Sequence, residues 1–260
     1  MPQAARVAPR TGAVNAIQIT DTHVYADPGE RYDGLDTLAS LNAVIDAILL
    51  RDESPDFVLA TGDLVNDPGP ASYRRLSAVL QRLPAPVYCL AGNHDDPELL
   101  AGILDRANMG APRLVECGDW RVALLNTCVP GREGGRLAHS ELEFLEASLK
   151  AGRRHVLVCL HHPPVPVGSP WMDAMGLENG ETLFRILDAH PQVRGVLWGH
   201  IHQQFDGARA NMRLLGTPST CVQFTPGADH YLKADAPPAY RVLRLNPDGR
   251  IETEVVPVPL

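Results

Sequence analysis

Polar side chains of the kind that bind metal ions stand directly after five apolar segments of this sequence. They form five short motifs: Asp21-Thr22-His23, Gly62-Asp63, Gly92-Asn93-His94-Asp95, His161-His162-Pro163-Pro164 and Gly199-His200-Ile201-His202. Each motif by itself is more often a turn, a cap or a loop than a binding site. Five in succession, each at the end of an apolar segment, together indicate one shared site for metal-assisted chemistry.

The candidate ligands combine carboxylate, amide and imidazole groups without sulfur. They are Asp21, His23, Asp63, Asn93, His161, His200 and His202. Such a mixed set suits Mn, Fe, Zn or Co rather than Mg or Ca. Seven side chains are too many for one ion, but they suit two ions that share a bridging carboxylate at a separation of about 3.5–4 Å. We therefore predict two transition-metal ions per chain, with Fe, Mn or Zn as the candidates.

His200 and His202 stand on either side of one isoleucine, at the end of the apolar segment 194–198. In an extended segment, residues two apart point to the same side. We therefore expect the two imidazoles to point to one region, and Gly199 to let the backbone turn close to the site. A histidine at a strand end is more often half-buried than a ligand, so the pair needs partners from the other motifs.

Strand-like and helix-like patterns alternate along most of the chain. Strands are predicted at 15–20, 56–61, 86–91, 121–126, 155–160 and 194–198. Helices are predicted at 36–51, with Asp36 as N-cap, and at 70–83, 95–104, 139–152 and 181–190. This alternation indicates a layered α/β fold. In such sheets, ligands bind beyond the carboxyl ends of the strands, so the five motifs are expected to converge in space.

The last part of the chain has a different pattern. Strand-like segments at 212–217, 240–245 and 251–256 have no helices between them, and the turn residues 246–249 read NPDG. Short strands that close an α/β chain predict a second, partly antiparallel sheet. We therefore expect two sheets packed together, with helices outside them.

Composition excludes several classes of protein. The 260 residues are 45% hydrophobic and 21% charged, which is typical of one globular domain spanning 1–260. The net charge is −8 and no cluster of Lys and Arg occurs, so binding to a nucleic-acid polymer is not expected. A negatively charged substrate then needs local attraction, which bound metal cations supply.

The N-terminus has no apolar core of signal-peptide length, and no segment approaches the ~18 apolar residues of a membrane span. We therefore expect no membrane association and a cytoplasmic location. The five cysteines are an odd number, and none is in a Cys-x-x-Cys pair. Cys89 and Cys159 lie in apolar segments, so we interpret them as core residues rather than disulfide partners or thiolate zinc ligands.

The five motifs, in this order, resemble those of the calcineurin-like metallophosphoesterase superfamily over nearly the whole chain. The resemblance implies a four-layer α-β-β-α double β-sandwich flanked by helices. It implies that one ion is held by Asp21, His23, Asp63 and His202. It implies that the other ion is held by Asp63, Asn93, His161 and His200. Asp63 then bridges the ions, and the two histidines of the last motif serve different ions.

Several segments narrow the resemblance to one class. TPSTCVQFTP at 217–226, VGSPWMDAMGL at 167–177 and the closing DGRIETEV are similar to the bacterial class III 3′,5′-cyclic AMP phosphodiesterases. MDAMGLENG at 172–180 is also similar to the glycerophosphodiesterase branch, which shares every metal ligand. Purple acid phosphatases place a metal-binding tyrosine three residues after the bridging aspartate. This chain has Asn66 there, so that branch is disfavoured.

The resemblance implies a phosphodiesterase that hydrolyses 3′,5′-cyclic AMP to 5′-AMP by attack of a metal-activated hydroxide on phosphorus. The alternative is a phosphodiesterase for glycerophosphodiesters or other small phosphodiesters, with the same dinuclear centre. A third hypothesis is a metal-binding scaffold that presents the fold to a protein partner. It is disfavoured because a scaffold does not need the complete ligand set. The resemblance also suggests a homodimer.

His94 and the bridging Asp63 are the predicted catalytic residues. His94 follows Asn93 and is not needed as a ligand, so we expect it to hold a phosphate oxygen or to protonate the leaving alkoxide. Asp67 and Asp95 are candidates to orient His94, with turn or capping roles as the alternative. The predicted substrate-binding residues are His23, Asn93, His94, His162 and His202.

Two irregular segments are expected to form the substrate pocket. They are 163–180, which contains Trp171, and 217–238. Pockets combine aromatic surface with a few polar groups, although Trp171 could equally pack the loop onto the domain. His162 is expected either to orient His161 or the substrate, or to be a loop histidine held by the two prolines that follow it.

Overall fold

The computed structural model describes residues 4–51, 54–105, 108–152 and 154–260. Its strands are β1 (Ala5–Val7), β2 (Val14–Ile19), β3 (Phe57–Thr61), β4 (Val87–Leu90), β5 (Met109–Gly110), β6 (Leu114–Cys117), β7 (Trp120–Leu124), β8 (His155–Cys159), β9 (Val193–Trp198), β10 (Phe205–Arg209), β11 (Met212–Gly216), β12 (Gln223–Phe224), β13 (Lys233–Ala234), β14 (Ala239–Leu245) and β15 (Ile251–Pro257). Its helices are α1 (Thr37–Leu50), α2 (Pro70–Leu80), α3 (Pro97–Leu104), α4 (His139–Lys150), α5 (Pro170–Asp173) and α6 (Gly180–Asp188).

The strands form two large sheets and one small ribbon. Seven strands pair in the order β1-β6-β7-β8-β9-β11-β10, and six pair in the order β15-β14-β2-β3-β4-β5. β12 and β13 form the ribbon. The strands at the centre of each sheet are parallel: β2 with β3 and β4, and β7 with β8 and β9. Their carboxyl ends therefore lie together at one edge of each sheet.

Alternate residues along the central strands face different layers. Phe57 and Leu59 lie with Leu157 and Leu197 in the apolar core between the two sheets. Val58, between the first two, belongs instead to a core that contains residues of α1, α2 and α3. A third core joins the outer face of the seven-stranded sheet to α4 and α6. The predicted four-layer α-β-β-α sandwich is confirmed, because each sheet buries both of its faces.

The predicted alternation of strands and helices is present, with element ends that differ by a few residues. The side chain of Asp36 accepts a hydrogen bond from the Ala39 N–H and caps α1 as expected. No helix among the described residues is long and apolar enough to cross a membrane.

The expected two packed sheets are confirmed, and both contain antiparallel pairs, but the last strands are divided between the two sheets. β11 pairs in parallel with β9 in the seven-stranded sheet. β14 and β15 pair through the predicted hairpin, and β14 also pairs antiparallel with β2 in the six-stranded sheet, with Val242 opposite Ile17. The final strands thus complete both existing sheets. Their sequences specify strands with a buried face, but many sheet edges can accept such a strand.

Candidate metal centre

The carboxyl ends of five strands meet at one end of the sandwich. Within one sheet, the Asp21 N–H donates to the Gly62 carbonyl at 2.9 Å, and within the other, the Gly199 N–H donates to the His161 carbonyl at 3.2 Å. The His200 N–H joins the sheets by donating to both carboxylate oxygens of Asp21, at 3.1 and 3.0 Å. The structure thus brings the seven predicted ligands into one cluster.

Five of the predicted ligands have left-handed backbone conformations. In the described parts of the chain, seven non-glycine residues have positive φ, and five of these are Asp21, His23, Asp63, His200 and His202. Such conformations are uncommon for residues with a side chain and concentrate at functional sites. The φ angles of His200 and His202 are 67° and 46°. The expectation that these histidines continue an extended strand is therefore wrong, because β9 ends before them and the backbone turns.

Asp21, His23 and His202 form the first ligand group. Nε2 of His23 lies 3.3 Å from Nε2 of His202, which in turn lies 3.4 Å from Oδ1 of Asp21. Oδ2 of Asp63 is 3.8 Å from Nε2 of His23. Imidazole nitrogens and carboxylate oxygens that approach one common point are the arrangement that binds a cation.

The second group surrounds the other oxygen of Asp63. Nε2 of His161 lies 3.3 Å from Oδ1 of Asp63, and the ring centroids of His161 and His200 are 5.0 Å apart. Nε2 of both histidines and Oδ1 of Asn93 are buried and have no hydrogen-bond partner within the described chain. Buried polar atoms are rarely left unpaired, so these three atoms fit the ligands of a second cation. Asp63 presents one oxygen to each group.

Backbone carbonyls set the orientation of two of the imidazoles. Nδ1 of His161 donates to the Thr61 carbonyl at 2.9 Å, and Nδ1 of His202 donates to the Val222 carbonyl at 2.7 Å. A carbonyl can only accept, so Nδ1 of each ring carries a proton, and Nε2 is the nitrogen that faces the ligand group. Hydrogen bonds of this kind fix the tautomer of metal-binding histidines.

The charges of the cluster also fit bound cations. Burial raises the pKa values of Asp21 and Asp63, but the neighbouring histidines outweigh burial and lower both, so both carboxylates are ionised. Burial lowers the pKa of His23 to about 4 and that of His200 well below its ordinary value. Burial opposes the charge on His161 too, but Asp63 raises its pKa to about 9. Two ionised carboxylates beside the neutral imidazoles of His23 and His200 are a set of groups that suits bound cations.

His94 lies beside both ligand groups. The backbone N–H of His94 donates to Oδ1 of Asp63 at 2.9 Å, and the His94 ring centroid lies 4.9 Å from that of His23. The two candidate orienting carboxylates have other partners. Asp95 accepts from the N–H groups of Leu64, Val65 and Gly92 and from the Tyr73 hydroxyl, and Asp67 accepts from the Ala26 N–H. Both carboxylates therefore hold strand ends and loops together.

His162 is buried and uses both of its ring nitrogens within the protein. Nδ1 lies 2.7 Å from Oγ1 of Thr127, and Nε2 donates to the Glu133 carbonyl at 3.0 Å. Although His162 lies near His161 and His200, it is not among the residues that line the cleft. These contacts make His162 an anchor for the loop that carries Glu133, and its predicted contact with substrate stays a prediction.

A cleft of about 130 Å³ opens onto the cluster. Both predicted pocket segments contribute to it: Trp171 comes from 163–180, and Phe224 and Tyr231 come from 217–238. The Phe224 ring stacks on His202 with centroids 4.0 Å apart, and Trp171 meets Phe224 edge-on at 5.3 Å. Nε1 of Trp171 is buried and has no hydrogen-bond partner among the residues that the structure describes, which leaves a donor beside the cleft.

Three further residues at the site were not predicted. Oδ1 of Asn66 lies 3.0 Å from Nδ1 of His23 and fixes that ring. In the sequence, Asn66 is notable only because purple acid phosphatases have a metal-binding tyrosine at that position. Tyr32 and Glu133 line the cleft. Neither stands in a motif or next to a predicted strand end, so the sequence contains no local pattern that indicates them.

Comparison with known sequences supports this picture. A family model described as calcineurin-like phosphoesterase matches residues 15–204. A Pseudomonas aeruginosa protein named 3′,5′-cyclic adenosine monophosphate phosphodiesterase CpdA is 42% identical over 249 residues, which are 95% of this chain and 91% of that protein. A Nostoc protein named 3′,5′-cyclic-nucleotide phosphodiesterase alr5338 is 36% identical over 247 residues, 95% of this chain and 93% of that protein.

Solved structures with low sequence identity share the fold. A dimetal phosphatase from Danio rerio is 17% identical with a TM-score of 0.59, over 96% of this chain and 100% of its own. A purple acid phosphatase from yellow lupin is 12% identical with a TM-score of 0.63, over 96% of this chain and 55% of its own. The two-sheet fold, the matching family model and the relatives of 36–42% identity agree with one another. This chain therefore belongs to the calcineurin-like phosphoesterase family.

Proposed function

We propose that this protein is a metal-dependent phosphodiesterase that hydrolyses 3′,5′-cyclic AMP to 5′-AMP. The observation that carries the proposal is the similarity to 3′,5′-cyclic AMP phosphodiesterases along nearly the whole chain. The cluster at the strand ends supports it, because the predicted carboxylate and imidazole ligands lie close together there.

In this proposal, each ligand group holds one ion. Asp21, His23 and His202 would hold the first ion, Asn93, His161 and His200 would hold the second, and Asp63 is close enough to both groups to serve either ion. Two bound ions supply positive charge for the phosphate oxygens and lower the pKa of a water molecule. The mixed oxygen and imidazole ligands favour Fe, Mn or Zn.

His94 is proposed to donate the proton in the reaction. When a water oxygen forms its bond to phosphorus, the bond from phosphorus to O3′ breaks and O3′ must gain a proton. The His94 ring lines the cleft next to His23, and its backbone is fixed by the hydrogen bond to Asp63. A proton donor at this point stabilises the leaving oxygen as its charge develops.

The aromatic side chains around the cleft are proposed to bind the nucleobase. Tyr32, Trp171 and Tyr231 present ring surfaces, and Nε1 of Trp171 offers a free donor. Stacking on aromatic rings holds bases in many nucleotide-binding proteins. The cleft volume of about 130 Å³ is below the roughly 300 Å³ of typical ligand pockets. The loops that carry these rings are therefore expected to separate when substrate enters.

Turnover of three diesters tests the proposal. Protein loaded with Fe, Mn or Zn is incubated with 3′,5′-cyclic AMP, 2′,3′-cyclic AMP and glycerophosphoethanolamine, and bound metal is measured alongside. We expect about two ions per chain and release of 5′-AMP from 3′,5′-cyclic AMP. Turnover of glycerophosphoethanolamine without turnover of either cyclic nucleotide would establish the alternative instead, which the similarity of 172–180 to glycerophosphodiesterases favours.

Several other expectations stay predictions: the single domain spanning 1–260, the homodimer, the cytoplasmic location, and the absence of nucleic-acid and membrane partners. The identity of the metals and the roles of the individual site residues also stay predictions.

A further inference from the structure

Glu133 lies at the rim of the cleft, and its carboxylate has no cationic partner. Oε2 of Glu133 accepts a hydrogen bond from Nδ2 of Asn93 at 3.3 Å, and the side chain is otherwise exposed. Among the described residues, no Lys, Arg or His forms an ion pair with it. Glu133 lines the same cleft as Asn93 and His94, so an unpaired negative charge stands where a phosphodiester is to bind.

This charge needs an explanation, because it repels an anionic substrate. An ionised carboxylate can only accept hydrogen bonds, so it favours a ligand that presents a donor at this point. The phosphate of a cyclic nucleotide has no donor, but its ribose has the 2′-hydroxyl. The other donor of 3′,5′-cyclic AMP is the N6 amino group at the far end of adenine, so the 2′-hydroxyl is the donor nearest to the phosphate and the chemical partner that suits Glu133.

The loop that carries Glu133 is fixed to the site. The backbone carbonyl of Glu133 accepts a hydrogen bond from Nε2 of His162. Nδ1 of the same ring lies 2.7 Å from the Thr127 hydroxyl. Gly135 packs so closely on His162 that a Cβ at Gly135 would lie 2.4 Å from the ring. The backbone is therefore held at and directly after Glu133, and the hydrogen bond from Asn93 orients its carboxylate toward the cleft.

The chemistry of the substrate places a hydroxyl near this carboxylate. In the proposed reaction, O3′ leaves beside His94, and the 2′-hydroxyl is on the neighbouring ribose carbon. His94 directly follows Asn93, and Glu133 is hydrogen-bonded to Asn93. We propose that Glu133 accepts a hydrogen bond from the ribose 2′-hydroxyl and makes the enzyme selective for ribonucleotides. This proposal rests on the cyclic nucleotide phosphodiesterase activity proposed above.

The test compares 3′,5′-cyclic AMP with its 2′-deoxy analogue. For the unchanged protein we expect kcat/KM to be higher for 3′,5′-cyclic AMP by on the order of 10-fold, the effect of one hydrogen bond to a charged group. Glu133→Ala should bring this ratio close to one. Glu133→Gln, which keeps an acceptor oxygen without the charge, should retain an intermediate ratio.

The ratio of the two substrates separates recognition from other effects of the substitution. Removing Glu133 also removes the hydrogen bond to Asn93, which can weaken the second metal group, but both substrates have the same phosphate and this effect cancels. Glu178→Ala is the matched control. Glu178 pairs with Arg132 and Arg136 at the outer side of the same loop, so the ratio should stay as in the unchanged protein.

A binding measurement provides a second readout. Calorimetry with 5′-AMP and 2′-deoxy-5′-AMP should show the same preference, and Glu133→Ala should remove it. Equal kcat/KM for both cyclic nucleotides in the unchanged protein, or an unchanged ratio in Glu133→Ala, would overturn the role of Glu133 and leave the phosphodiesterase proposal intact. Absence of turnover of both cyclic nucleotides would overturn the two proposals together.

Discussion

At the scale of single residues, the site depends on a backbone position that only glycine can occupy. Gly199 lies between the end of β9 and His200, where the seven-stranded sheet meets Asp21 of the other sheet. A Cβ at Gly199 would lie 2.1 Å from Oγ1 of Thr20 and 2.6 Å from Oδ2 of Asp21. Close approach of backbone to a ligand carboxylate is possible here only because glycine has no side chain.

Gly199→Ala should therefore displace Asp21 and weaken the first metal group. We expect metal affinity to fall by roughly 10- to 100-fold, as for changes to residues that orient metal ligands. Metal content after dialysis and turnover of 3′,5′-cyclic AMP measure the effect. Gly102→Ala is the control, since a Cβ at this helical position meets nothing within 4 Å. Full metal content and activity in Gly199→Ala would show that the Asp21 position tolerates the shift.

His94→Ala tests the proton donor. One ring nitrogen of His94 lies within 4.8 Å of ligand atoms of His23 and Asp63, so a role in metal binding must be separated from a role in proton transfer. We expect kcat to fall by roughly 10²–10⁴-fold with the metal content unchanged. His139→Ala, at a side chain that is 86% exposed, should change neither quantity. Loss of metal together with activity would instead identify His94 as a ligand.

At the scale of elements, two loops from distant parts of the chain close over the cleft. The Tyr231 hydroxyl donates to the Asp33 carboxylate, and Nζ of Lys233 donates to the Asp33 carbonyl at 3.0 Å. The neighbouring Tyr32 ring lies 4.9 Å from the His23 ring. These contacts join the loop between β2 and α1 to the segment between β12 and β13. Both loops carry aromatic rings of the cleft, so we expect their contact to limit access to the metal centre.

Tyr231→Phe should make these loops separate more often. The sequence has two lysines, Lys150 at the end of α4 and Lys233 in β13, so a lysine-specific protease cuts next to the loop and at one reference site. Loss of one hydrogen bond should accelerate cleavage after Lys233 by about 5-fold, while cleavage after Lys150 stays the same. Equal rates after Lys233 in both proteins would mean that the Tyr231–Asp33 contact does not hold the loops.

At the scale of the whole molecule, a buried polar network joins the two sheets beneath the site. Arg241 of the six-stranded sheet donates to Oγ1 of Thr217 at 2.8 Å and to the Gly216 carbonyl of the seven-stranded sheet at 2.8 Å. Thr217 donates in turn to Gln18, whose Nε2 donates to the Trp198 carbonyl at 3.2 Å. Burial lowers the pKa of Arg241 to about 10, so its charge is costly and depends on these acceptors.

Arg241→Leu should destabilise the protein, because the acceptors of the guanidinium lose their donors inside the sandwich. We expect the free energy of unfolding to fall by about 2–4 kcal/mol, measured by urea denaturation. Arg250→Leu, at a side chain that is 67% exposed, should change it by less than about 0.5 kcal/mol. A loss below about 1 kcal/mol in Arg241→Leu would mean that apolar packing replaces the network.

The elements themselves were largely predictable from the sequence, but their partners were not. The helix that begins after Asp36 and the hairpin around 246–249 follow from local patterns, because caps and turns depend on residues that are close in sequence. The placement of β11 beside β9 and of β14 beside β2 depends on pairings between distant segments. Any half-buried strand can pair with the edge of either sheet, so hydrophobic periodicity alone does not determine which edge β11 or β14 joins.

The sequence by itself determined the α/β architecture, the seven ligand-type side chains and the family, since strand ends and residue types are local properties. The resemblance to the family already implied how these side chains group, and the structure places His200 near His161 and His202 near His23 accordingly. Only the tertiary structure decided that the backbone turns at His200 and His202. It also decided that Asn66 fixes the His23 ring and that Glu133 faces the cleft. These relations depend on the strand order and on left-handed backbone turns, which bring residues far apart in sequence within a few ångströms.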